Sequence, residues 1–270
     1  MKGALSVILF FCAVAAFAQN HPGTSMDRQI ELMPSLSVLN YASADELYSP
    51  MVYEGRGLYA GIRITFSREN SHHIIEAGYS DFTRKSEELT VPENYFLDEN
   101  RFLELHNYFI DLSYSYLHQL SSISIPSAHF SISGELSHHI VLDEDVQVYP
   151  EISITSVSPG FEFGYSPGSH HTIKIAASVP LFSIYLRNNY STAYPQIYEK
   201  YKQEYFIKHN VKFAGPGTLR AVKAEAGYTY SLGKRMALTA RYRFGFLYLE
   251  DPRPLRWVSG LYTAGLTYRL

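Results

Sequence analysis

Between residues 219 and 270 the sequence holds three stretches in which side-chain character alternates at every residue, with almost no spacer between them. The first runs from Leu219 to Ser231, the second from Arg235 to Leu249 and the third from Trp257 to Leu270. In the second, Met236, Leu238, Ala240, Tyr242, Phe244, Phe246 and Tyr248 share one parity. Arg235, Thr239, Arg241, Arg243 and Gly245 share the other. A period of two is the signature of a strand, because successive side chains point to opposite faces. Strands of soluble proteins usually stop after about five or six residues. A stretch this long, greasy on one side and polar on the other, suits a tilted strand that crosses a bilayer.

In hydrocarbon an open sheet edge leaves backbone groups without partners, so such a sheet has to close on itself. The expected fold is all-β: a closed antiparallel transmembrane β-barrel. The competing reading is a secreted β-sandwich, which is also rich in tyrosine. Three further features favour the barrel. Residues 1–18 have the form of a secretory signal: Lys2, an apolar run from Leu5 to Val14, and the small-x-small site Ala16-Phe17-Ala18. The chain's one cysteine, Cys12, lies inside that signal, so the mature chain has no disulfide, thiol nucleophile or thiolate metal site. The aromatic content, 23 Tyr and 16 Phe against a single Trp, fits girdles at two membrane interfaces. Removing Lys2 with the signal leaves 22 basic against 26 acidic side chains, which argues against a nucleic-acid partner.

The rest of the chain supplies the remaining strands. Residues 19–30 read as a periplasmic lead-in and 31–270 as the barrel. Strands are expected at 31–41, 51–66, 72–83, 101–116, 127–140, 149–165 and 171–187, followed by the three C-terminal ones. That makes ten, with eight or twelve as alternatives. Short connections at 67–71, 117–126, 166–168 and 232–234 then fall on the periplasmic side. Longer ones at 42–50, 84–100, 141–148, 188–216 and 250–256 fall outside, the segregation seen in bacterial barrels. A rival threading drops 31–41 and counts 205–213 as a span. It also totals ten but puts the 84–100 loop in the periplasm. In the 149–165 strand, Ile152 and Ile154 read as outward, and a face flip at Val157 to Gly160 would turn Phe161, Phe163 and Tyr165 outward, as a β-bulge does.

This pattern resembles the outer-membrane β-barrel proteins of Gram-negative bacteria, over essentially the whole mature chain and at the level of architecture. The resemblance implies a multi-pass protein of the bacterial outer membrane, surrounded by its lipid and inserted by the barrel-assembly machinery. Such barrels commonly end in an aromatic residue; here Leu270 is last and Tyr268 stands two before it.

By parity the lumen receives Arg63, Glu76, Asp111, Glu135, Glu162, Lys174, Lys223, Glu225, Arg241, Arg243 and Arg269. A ten-stranded barrel is narrow, and buried charges have to be paired. The leading expectation is therefore a salt-bridged, side-chain-filled lumen in a non-enzymatic protein with a structural or binding role, with Lys223, Arg241 and Arg243 opposite Glu135 and Glu225. A narrow channel for small solutes or ions is the alternative. A second alternative is a lipid hydrolase. His129 and Ser131 are two apart on one strand face, with Glu135 or Asp111 available to orient the histidine. The His-x-Ser arrangement looks like that of outer-membrane phospholipases and lipid A deacylases, but in those families the pair lies on the lipid-facing surface, whereas parity here turns it inward. A ten-stranded barrel protease would need an acidic and histidine-bearing rim; His139, Asp143, Glu144 and Asp145 stand near that height without a matching motif. The pairs His72-His73, His138-His139 and His170-His171 point to opposite faces and so read as interfacial residues, giving no metal site and no cofactor. For recognition of an extracellular ligand or envelope protein, the tyrosines of the longest loop are the candidates: Tyr190, Tyr194, Tyr198, Tyr201 and Tyr205.

Overall fold

A computed structural model of the chain describes residues 28–45, 49–85, 104–120, 127–143, 150–187, 211–250 and 254–270. The expected signal and lead-in before residue 28, and the five candidate tyrosines from Tyr190 to Tyr205, lie outside them. The described residues form twelve strand segments. They are β1 (Arg28–Asp45), β2 (Ser49–Arg68), β3 (Ser71–Lys85), β4 (Glu104–Gln119), β5 (Ala128–Asp143) and β6 (Pro150–Tyr165). They continue as β7 (His171–Ser178), β8 (Phe182–Arg187), β9 (Val211–Ala214), β10 (Leu219–Ser231), β11 (Met236–Leu249) and β12 (Leu255–Arg269).

Each segment pairs antiparallel with its neighbours, and β1 pairs with β12, closing the ring. The wall has ten staves. Segments β7 and β8 both pair with β6 and form one interrupted stave. Segments β9 and β10 form the next, pairing with β8 and β7 respectively. The ten-strand closed barrel is therefore as the sequence indicates. Its closed ring of long strands, with an apolar exterior around charged side chains at mid-lumen, defines a transmembrane β-barrel, and the resemblance to outer-membrane barrels holds at the level of architecture.

Strand β1 starts three residues before and ends four residues after the expected 31–41, so most of 42–50 is sheet. Pro34 sits in its middle, facing outward; the ladder to β12 skips from Leu32 to Ser35 there. A proline has no N–H to donate, so one gap in one ladder is what its presence costs. The short turns at 69–70, 166–170 and 232–235, and both barrel ends of the chain, lie at one end, here the turn end. Glu69 takes the left-handed backbone (φ 37°) that this tight reversal needs.

The inside–outside assignment holds in β3, β4, β5 and β11, and requires one correction. Ile152 and Ile154 face the lumen, each only 1% exposed, and β6 keeps strict alternation from end to end. Val157 and Pro159 are outward along with Phe161, Phe163 and Tyr165. The face flip occurs one stave later. In β7 the odd positions Ile173 and Ile175 are outward, whereas in β8 Phe182 and Ile184 are outward and Ser183 and Tyr185 inward. Between them the backbone still bonds to β6, Val179 N to Pro159 O and Leu181 N to Val157 O. Pro180, unable to donate, occupies the irregular position. The adjacent stave flips too, where Gly215-Pro216-Gly217-Thr218 makes a turn between β9 and β10. Segment β9 thus lies within the stretch 188–216, as an extension of β10 beyond this turn.

Candidate functional site

The lumen is layered. Strand alternation sends inward one residue in two, and the registers stack those residues at matching heights. Midway along the barrel Arg63 (β2), Glu76 (β3), Asp111 (β4), Glu225 (β10), Arg241 and Arg243 (β11) meet. Arg243 donates to Asp111 at 3.1 Å and to Glu225 at 3.3 Å, and contacts Glu76 with its remaining nitrogen. Arg241 donates to Glu225 at 3.3 Å and also pairs with Glu76. Arg63 lies 3.1 Å from Glu76 and 3.4 Å from Glu225. Lys223 reaches Glu135 on β5 at 2.5 Å. Segments β11 and β4 stand on opposite walls of the ring, so the Arg243–Asp111 pair crosses the lumen. The lattice contains four cations and four carboxylates, the balance a buried cluster requires. Tyr59 completes it, its hydroxyl donating to Asp111 at 3.4 Å. The ring lies against Gly78, where a Cβ would fall within 1.9 Å of the hydroxyl oxygen. Only glycine leaves room for it.

Two pairs stand apart from the lattice, nearer the turn end. Lys174 binds Glu162 at 3.0 Å, and Arg269 binds Glu31 at 2.9 Å.

Toward the loop end the lumen turns apolar. Leu39, Phe109, Val141, Ile152, Ile154, Tyr185, Leu219, Leu247, Leu249, Leu255, Trp257 and Leu261 pack into one buried cluster. His139 joins the two layers. Its Nδ1 is 3.0 Å from Asp111, and its ring stacks on Phe109 and meets Trp257 edge-on. Beyond the apolar cluster Arg84 is buried, bonded to Asn107 and Ser43 and stacked over Tyr41 and Tyr53. Among the described residues, the space left inside includes a cavity of about 90 Å³, bordered by Ser137, Ser156, Ser158 and Ser259, and a second of about 70 Å³ on the turn side. Lys223, Glu135, Ser178 and Arg243 border both. Each is large enough for a few water molecules, and serine hydroxyls line both.

Of the proposed lumen residues, the structure brings together Arg63, Glu76, Asp111, Glu225, Arg241 and Arg243, with Lys223–Glu135 beside them. The catalytic candidates are not assembled. His129 Nε2 is 4.0 Å from Glu162 and its ring lies over Gly164. Ser131 is buried, and no hydrogen bond joins it to His129. Glu135 is engaged by Lys223, and Asp111 by Arg243 and His139. His139, expected at the outer rim, lies inside the lumen; Glu144, Asp145 and the Asp143 side chain fall outside the described residues. The adjacent histidines do face opposite ways. His73 and His171 sit outward at the turn end, bonded to Tyr114 and Tyr228 at 2.8 and 2.7 Å. Sequence reading missed the apolar layer and the link through His139. Counting parity unbroken from Pro150 through β6 would have found Ile152 and Ile154.

No family profile matches the chain, and no curated protein does. Solved structures do. The outer membrane protease OmpT from Escherichia coli aligns over 92% of this chain and 99% of its own, with 8% identity and a TM-score of 0.48. The translocator domain of the autotransporter NalP from Neisseria meningitidis aligns over 100% and 98%, with 11% identity and a TM-score of 0.43. Neisserial surface protein A aligns over 88% and 96%, with 9% identity and a TM-score of 0.34.

Proposed function

We propose that this chain is a non-enzymatic barrel of the bacterial outer membrane with an obstructed lumen, acting as a structural or binding element through its loop end. One observation carries the reading: charged side chains from opposite walls join across the lumen, directly beneath a packed apolar layer. A solute would have to break both. Separating buried ion pairs costs several kcal/mol, and wetting the apolar layer forfeits burial worth about 25 cal/mol per Å². In this reading the turn end faces the periplasm and the barrel-assembly machinery inserts the chain. The loop end, with Tyr190 to Tyr205 as the preferred contact surface, meets an extracellular ligand or envelope protein. Planar-bilayer recording of the refolded protein tests it. The expected trace is closed, with at most brief flickers. A steady open current would replace this reading with that of a narrow channel running through the two serine-bordered cavities.

A further inference from the structure

On the barrel exterior, at the loop end, Arg220 (β10), Tyr248 (β11) and Arg256 (β12) are direct cross-strand neighbours. Their shared parity turns all three outward. Arg220 lies over one side of the Tyr248 ring at 5.9 Å from its centroid, and Arg256 approaches the same ring at 5.6 Å. Both guanidiniums are exposed, and neither has an acidic partner among the described residues. Glu250, two residues beyond Tyr248, forms no ion pair with either.

Their height follows from strand geometry. The outward residues of β11 below Tyr248 run from Met236 to Phe246. At about 3.4 Å per residue and about 40° of tilt, that climb is roughly 26 Å along the axis, about the height of a barrel's apolar band. Val222, Phe246 and Val258, cross-strand neighbours one step lower, form the apolar row directly beneath them. The two arginines therefore stand just past the hydrocarbon, at the depth of lipid headgroups. Arginine suits that depth, because its planar fork binds phosphate oxygens in pairs and stays charged, and an aromatic face holds it in place.

We infer that Arg220 and Arg256, clamped on Tyr248, form a binding site for a phosphomonoester carried on a lipid headgroup. Two cations beside one ring match a dianionic phosphate better than the single charge of a phosphodiester. The site rests on the wall facing lipid, and not on whether the lumen conducts.

The test is native mass spectrometry of the full chain in detergent, titrated separately with lipid A, phosphatidic acid, phosphatidylglycerol and inorganic phosphate. Lipid A and phosphatidic acid carry the monoester on a glycolipid and on a glycerolipid, phosphatidylglycerol carries only a diester, and inorganic phosphate has no lipid. The wild type is expected to retain lipid A or phosphatidic acid in preference to phosphatidylglycerol. R220Q/R256Q should weaken that retention by about tenfold or more, as expected for lost charged hydrogen bonds. K234Q/R235Q, which removes two exposed cations at the turn end, should leave it unchanged. Retention of lipid A without phosphatidic acid supports the site with a glycolipid source, and the reverse supports it with a glycerolipid source. Equal loss in both variants, no loss in R220Q/R256Q, equal binding of phosphatidylglycerol, or displacement by inorganic phosphate at matching concentration each overturns the proposal. Heat-modifiable gel mobility confirms that each variant is folded.

Discussion

The two halves of the lumen solve the same problem in opposite ways. The middle of the barrel is filled by charge: Arg63, Arg241 and Arg243 share Glu76, Glu225 and Asp111. The loop-side half is filled by hydrocarbon and rings, among them Ile152, Ile154, Leu247 and Trp257. A charged lattice holds by mutual compensation, so the loss of one member exposes all the others. An apolar layer holds by contact, so the loss of one member leaves a hole that neighbours can partly close. The first is brittle and directional; the second is graded. His139, touching Asp111 on one side and Phe109 and Trp257 on the other, is where the two regimes meet.

This contrast can be broken by substitution. The largest effect is expected for R243A, which strips three carboxylates of a shared cation. Unfolding in urea from detergent micelles should show a loss of about 3–5 kcal/mol, the usual cost of an unpaired buried charge. Bilayer recording should show the variant leakier than wild type. If R243A unfolds like wild type, the lattice is not a cooperative unit. In the apolar half, L247A should cost roughly 2–4 kcal/mol, because Leu247 is buried in the cluster. Its conductance should stay closed, since the lattice below is intact; an open current from L247A alone would place the seal in the apolar layer.

Smaller effects sharpen the comparison. G78A forces a methyl into the Tyr59 ring and should cost about 1–3 kcal/mol, measured by the same unfolding titration. Pairing it with Y59L should recover part of that loss; no recovery would mean the clash lies elsewhere. The smallest effect belongs to K174Q. Its side chain is 44% exposed, so the Lys174–Glu162 pair is screened and worth about 0–1 kcal/mol. A loss as large as that of R243A would show that the turn-side pairs belong to the central lattice.

Legibility in the sequence follows the strength of the alternation. In their middles, strands β3, β4, β5 and β11 set small or polar inward residues against apolar or aromatic outward ones, and there both faces can be assigned by reading. The lattice members are legible for the same reason: an isolated Glu76 or Arg243 among outward aromatics can only point in. Strand β6 is not, because Ile152 and Ile154 are apolar on the inward face. Hydrophobicity alone then points to lipid, and a flip is needed to reconcile them with Phe161. The real interruption is marked by Pro180, a residue that cannot complete a ladder. Glu76 as a shared centre, and the meeting of Arg220 with Arg256 over Tyr248, lie beyond reading because register, not parity, brings them together.

The sequence by itself determined that the chain forms long staves with one face for lipid, since a period of two is local and survives without any knowledge of partners; the count of ten was settled by the closure of β1 on β12. It also determined that charges of both signs would share the interior. Only the tertiary structure decided which charges meet, that Arg243 spans the lumen to Asp111, and that half of the interior is apolar. Those facts depend on the stagger between staves and on the diameter of the closed ring. Neither is written in any one strand; both are set when the first strand finds the last.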